Sequence, residues 1–130
     1  MHPNEERIRA FYQAVATRDT DLLTAMMAED MVTTVPGHSP VAGRREGREA
    51  VLGLLGRAFE ETAGNFSAEL LDVLANDRYA VTLHRWTAQR KGRQLVANNI
   101  NIFRFDDQGR IAEREERIED ITAHDEFWST

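Results

Sequence analysis

Residues 66–117 read FSAELLDVLANDRYAVTLHRWTAQRKGRQLVANNINIFRFDDQGRIAEREER, and this stretch decides the fold. Its strand-forming segments are broken at Ala75-Asn76-Asp77, at Arg90-Lys91-Gly92 and from Asp106 to Gly109, where turn-forming residues cluster. Four consecutive strands joined by tight turns make an antiparallel meander. In the last turn, DDQG, Gly109 stands where a positive φ is usually needed.

Before the meander the spacing is helical. Ile8, Phe11, Tyr12 and Val15 recur on one face, with Asn4 placed to cap and Glu5 and Glu6 in the first turn. A second, short helix follows Asp19 or Thr20 and carries Leu22, Leu23, Met26 and Met27. Met31 to Pro36 is β-branched and stops at Pro36-Gly37, so it reads as a short strand, followed by a loop from Pro40 to Gly47. Ala50, Val51, Leu54, Leu55, Ala58 and Phe59 then form the stripe of an amphipathic helix, in which Gly53 and Gly56 suggest close packing. Thr122 and Asp125 resemble a capping box for a short last helix carrying Phe127 and Trp128. Helices first and strands after predict an α+β fold, with helices on one face of a strongly bent, mostly antiparallel sheet.

Composition narrows the function. A chain of 130 residues is the size of one domain, and residues 1–130 are read as a single one. Sixteen Lys and Arg against 22 Asp and Glu leave a net charge of −6, which repels phosphate backbones and argues against nucleic acid. Arg44, Arg45 and Arg48 form the one dense basic stretch, and Glu46 and Glu49 interrupt it, as on a solvated surface. The absence of cysteine excludes disulfides, thiolate metal sites and a thiol nucleophile. Four scattered histidines without HxH or HxxxH spacing give no zinc motif, so neither metal nor organic cofactor is expected. GRREGREAV, residues 43–51, lacks the spacing and lysine of a phosphate loop. MHPNEERIRAF carries charges where a signal peptide needs an apolar run, and no membrane-spanning run follows, so a cytoplasmic location is expected.

The stretches FYQAVATRDTDLLTAMMAEDMV (11–32), GRREGREAVLGLL (43–55) and FRFDDQGRIAEREERIEDITAHDEFW (103–128) resemble the SnoaL-like group of the nuclear transport factor 2-like superfamily. That superfamily includes ketosteroid isomerases, limonene epoxide hydrolases and polyketide cyclases. The resemblance covers nearly the whole chain. It implies a cone-shaped roll around one central pocket for a small hydrophobic molecule, with the outer sheet face used for a homodimer. Outward Ile100 and Ile102 fit such a dimer.

Alternation separates Thr82, His84, Trp86 and Ala88 from Tyr79, Val81, Leu83 and Arg85, without saying which set is inside. The resemblance to epoxide hydrolases places His84 where they carry a catalytic arginine and Trp86 where they carry the first of two aspartates. That departure speaks against their mechanism. The same matching turns Ala97, Asn99, Asn101 and Phe103 inward and Val96, Asn98, Ile100 and Ile102 outward. In the last strand Ala112, Arg114, Glu116, Ile118 and Asp120 share a face, and Glu116 falls where the cyclases have their acid–base carboxylate.

His84 and Glu116 are thus the expected catalytic pair, one accepting and one donating a proton. Trp86, Asn99, Asn101, Arg114 and Phe103 are the expected substrate-binding residues, joined by His38 in the turn PGHSP, near where ketosteroid isomerases place their general base. His2 is read as disordered, and His124 and Asp125 as capping or solvent-facing. The competing reading makes His84 a structural histidine and Glu116 part of a solvated charge run, EREER. The two functions that follow are a cofactor-independent acid–base enzyme (a cyclase, isomerase or hydrolase) acting on a polyketide-, terpenoid- or steroid-like molecule, and a non-catalytic binding or scaffold protein of the same fold.

Overall fold

The computed structural model describes residues 1–130. Chain order is α1 (Pro3–Thr17), α2 (Thr20–Met26), β1 (Met27–Val35), β2 (Gly43–Glu46), α3 (Arg48–Glu61), β3 (Phe66–Ala75), β4 (Tyr79–Arg90), β5 (Arg93–Phe105), β6 (Ile111–Arg117) and α4 (Ile121–Trp128). The six strands form one mixed sheet in the order β2-β1-β6-β5-β4-β3. The expected meander is β3 to β6, all antiparallel, and β1 joins it by pairing parallel to β6.

Local chemistry departs from expectation in four places. The cap of α1 is His2, whose Nδ1 accepts the Asn4 N–H at 3.0 Å, while Pro3 takes the first helical position, where an N–H is not needed. His2 is also tied down by Asp77 at 2.9 Å, and buried Asn4 donates instead to the Asn76 carbonyl. Strand β1 begins at Met27 rather than Met31, because pairing of Met27 with Ile111 overrides the helical pattern around it. The loop after Pro40 contains β2, a short charged edge strand antiparallel to β1. Helix α4 is capped by Asp120, which accepts the Ala123 N–H at 3.0 Å, and Asp125 is used elsewhere.

The core lies between α1 and the inner face of the sheet, where Ile8, Phe11, Leu23, Met31 and Phe103 are buried. A smaller cluster of Val41, Ala88, Leu95, Phe127 and Trp128 seats α4. Arg90, almost fully buried, holds the end of α4 by donating to the Phe127 and Ser129 carbonyls, both at 2.8 Å, and pairs with Glu61 of α3 at 3.2 Å. Of α3 only Val51 is buried, and Ala50 is exposed. Gly53 and Gly56 do not mark close packing, since a Cβ at either would meet nothing within 4 Å. No helix is long and apolar enough to cross a membrane.

Candidate functional site

Period-2 alternation along β4, β5 and β6 puts Thr82, His84, Asn99, Asn101, Arg114 and Glu116 on the inner side of the sheet. Cross-strand register then stacks them in rungs. Thr82, Asn101 and Glu116 face one another across three strands, His84 stands opposite Asn99, and Trp86 opposite Ala97. Phe103 is opposite Arg114, which is opposite Thr33 of β1. Thr82, His84, Asn99 and Asn101 are all at most 4% exposed, while the alternate residues Val81, Leu83 and Ile100 are exposed on the convex side.

These rungs floor a cavity of about 150 Å³. His84, Trp86, Asn99, Asn101, Arg114 and Glu116 line it from the sheet. Tyr12 of α1 and Leu54, Leu55 and Ala58 of α3 form the opposite wall, and His124 and Trp128 of α4 close one side. Fifteen of the 21 lining residues are hydrophobic, so the polar groups act in an apolar surround, where their interactions are stronger than in water.

Tyr12 is the hub of a buried network. Its phenolic oxygen accepts from Asn101 Nδ2 at 3.0 Å and lies 2.7 Å from Thr82 Oγ1 and 3.2 Å from His84 Nδ1. Burial pushes the Tyr12 phenol above its usual pKa, against the opposing hydrogen bonds from Thr82 and Asn101, so the phenol keeps its hydrogen. When that hydrogen goes to His84 Nδ1, the imidazole carries its own at Nε2. Burial also holds the His84 pKa down to about 4, against the pull of the Glu116 carboxylate and with help from the Arg114 guanidinium. At neutral pH His84 is therefore an uncharged hydrogen-bond donor or acceptor rather than an imidazolium.

Glu116 meets Arg114 two residues away on the same strand face, at 2.9 Å from Arg114 Nη2 to Oε2. Arg114 is anchored in turn through Nη1 to Thr33 Oγ1 at 3.0 Å. The pair leaves Glu116 Oε1 without a hydrogen bond from the protein. No hydrogen bond joins Glu116 to His84. Asn99 spends its Oδ1 on the Glu119 N–H at 3.1 Å, fixing the chain as it leaves β6.

Six of the eight expected site residues thus line one cavity, and two do not. Phe103 faces inward but is fully buried in the core beside Phe11, with ring centroids 5.6 Å apart, because α1 covers that end of the sheet. His38 is exposed: its backbone N–H, with that of Ser39, donates to the Asp125 carboxylate at 3.0–3.1 Å, which turns the loop onto α4 and the imidazole outward. Tyr12 and His124 also line the cavity, although residue spacing on the strands does not single them out. Tyr12 reads as one more apolar residue of α1. His124 is buried, and its three- and four-residue spacing to Phe127 and Trp128 was the signal that it shares their inward face. Burial lowers the His124 pKa, opposed by Glu116 and Asp125. No three His, Asp or Glu side chains converge to hold a metal ion.

A bent sheet wrapped on helices around one apolar, polar-floored cavity defines a protein of the nuclear transport factor 2-like class. The sequence profile of the SnoaL-like domain matches residues 8–114, and the chain belongs to that family. It is 30% identical over 123 residues to an uncharacterized protein of Mycobacterium tuberculosis (strain ATCC 25618 / H37Rv), covering 94% of this chain and 93% of the relative. The structure of Bal32a, from a soil-derived mobile gene cassette, is 38% identical and superposes with a TM-score of 0.92, over 96% of this chain and 95% of that one. IdmH of Streptomyces antibioticus, a candidate polyketide cyclase, shares the fold at 21% identity and a TM-score of 0.77, over 95% and 96% of the two chains.

Proposed function

We propose that the protein is a cofactor-independent acid–base catalyst for a small hydrophobic substrate, working by proton transfer to and from Glu116. The observation that supports this most is the convergence of a carboxylate with one free oxygen and a neutral histidine on one apolar cavity. Glu116 Oε1 takes a proton from the substrate, and Arg114 holds the carboxylate in place. His84 Nε2–H donates to the oxygen on which negative charge develops, backed by Tyr12 at Nδ1. This division of labour fits proton abstraction beside a carbonyl, as in cyclisation or isomerisation, and the family likeness to candidate polyketide cyclases points the same way.

The test is exchange of α-hydrogens for deuterium, followed by NMR, across a panel of small cyclic ketones in heavy water. Glu116→Gln should lower the exchange rate about 10²–10⁴-fold with little change in KM, since the carboxylate acts on the reacting proton. His84→Gln should lower it less. Unchanged exchange in both variants would end the proposal.

The second reading, a binding protein without chemistry, draws on the fact that His84 and Glu116 are each bonded to another protein group and not to one another. It expects every ligand to be recovered without deuterium. In either case a homodimer through the convex sheet face is part of the proposal, supported by exposed Val81, Leu83, Val96 and Ile100.

A further inference from the structure

Three buried polar atoms have no hydrogen-bond partner in side chains that line the cavity: Trp86 Nε1, Asn101 Oδ1 and His124 Nδ1. A buried polar group left unpaired costs about 1–3 kcal/mol, so three around one cavity mark a place where partners are expected. Their chemistry is specific. The Trp86 indole can only donate. Asn101 is oriented by the bond from its Nδ2 to Tyr12, which leaves its Oδ1 only able to accept. The surfaces around them are apolar, and Phe66 lies against Trp86 with ring centroids 4.7 Å apart and the rings tilted by 31°.

Size follows from the cavity. At about 150 Å³ it matches the apolar cavity volume of roughly 150 Å³ known to take up a benzene-sized ring. A four-ring steroid or polyketide exceeds that volume. Placement follows from the register: Trp86 lies opposite Ala97 and Asn101 opposite Thr82, so the donor and the acceptor stand on different rungs of the sheet. A ring with polar groups at opposite ends meets a donor and an acceptor set apart in this way.

We propose that the cavity binds a single-ring molecule carrying a carbonyl at one end, accepting from Trp86 Nε1–H, and a hydroxyl at the other, donating to Asn101 Oδ1. His124 Nδ1 offers a third polar position from the α4 side. The inference rests on the acid–base reading of the same cavity and narrows its substrate class.

The probes are 4-hydroxyacetophenone, its apolar shape analogue 4-ethyltoluene, and the four-ring ketone androst-4-ene-3,17-dione. In the unaltered protein, 4-hydroxyacetophenone should shift the Trp86 indole N–H resonance downfield, 4-ethyltoluene should bind without that shift, and the steroid should not bind. Trp86→Phe and Asn101→Leu should each weaken 4-hydroxyacetophenone roughly tenfold and leave 4-ethyltoluene within about twofold, which also reports that the variants are folded. If both ring probes bind and neither the indole resonance nor the substitutions discriminate between them, the recognition scheme is wrong while the acid–base cavity stands. Tight binding of the steroid would overturn the size argument, and failure of both ring probes to bind would overturn the proposed ligand class, while the exchange test on Glu116 and His84 decides the acid–base reading separately.

Discussion

The inner face of β4–β6 and the helix α3 confront each other across the cavity with opposite characters. The sheet side is polar, buried and bonded: Thr82, Asn101, Tyr12 and His84 form one network, and Thr33, Arg114 and Glu116 form a second. The helix side is apolar, contributes one buried residue, Val51, and carries two glycines that face open space. Strand ladders fix side chains to a register, so chemistry that needs fixed distances sits there. The helix offers apolar surface without hydrogen-bond register, so it bounds the size and shape of what is bound.

Acid should break the sheet side first. His84 has a folded pKa near 4, below its unfolded value of about 6.5, so its neutral form contributes stability that is complete above pH 6.5. That contribution is lost as pH falls from 6.5 towards 4, by up to about 3 kcal/mol, and His124 adds a loss of the same sign. Urea unfolding at pH 7 and pH 4.5 should show a much smaller drop for His84→Gln than for the unaltered protein. Equal drops would place the acid sensitivity elsewhere.

A smaller effect is expected from removing the hub. Tyr12→Phe deletes the oxygen that joins Asn101, Thr82 and His84, and should cost about 1–3 kcal/mol in chemical denaturation at pH 7. A loss below about 0.5 kcal/mol would mean that the network is satisfied without it. The helix side should respond in the opposite direction. Gly53→Ala and Gly56→Ala place a Cβ in open space within a helix and should each raise stability by about 0.5–1 kcal/mol, read as a higher melting temperature. Destabilisation by either would contradict the exposed placement of that face.

Much of this was legible in the chain. The meander was, because its turns are written in Asn76-Asp77, Lys91-Gly92 and Asp106 to Gly109, and alternation set Thr82 with His84 on one face of β4 and Asn99 with Asn101 on one face of β5. What periodicity left open was whether those two faces coincide and on which side they lie, and resemblance to a family supplied both. The parts that were not legible depend on distant partners. Met27 joins a strand because Ile111 is there to pair with it, and β2 exists because β1 offers an edge. His38 turns outward because Asp125, 87 residues on, takes its backbone N–H, and Tyr12 becomes a hub only when α1 lies across Thr82 and His84. Local sequence holds no record of these encounters.

The protonation state of His84 is the most direct measure of whether the sheet side is built for chemistry. A pH titration of the His84 ring resonances by ¹⁵N NMR should show a neutral ring at pH 7, with the hydrogen on Nε2 and Nδ1 accepting, and protonation only near pH 4. Titration near pH 6.5, or a hydrogen on Nδ1, would contradict it, and His84 would no longer be the neutral donor that the proposed chemistry requires.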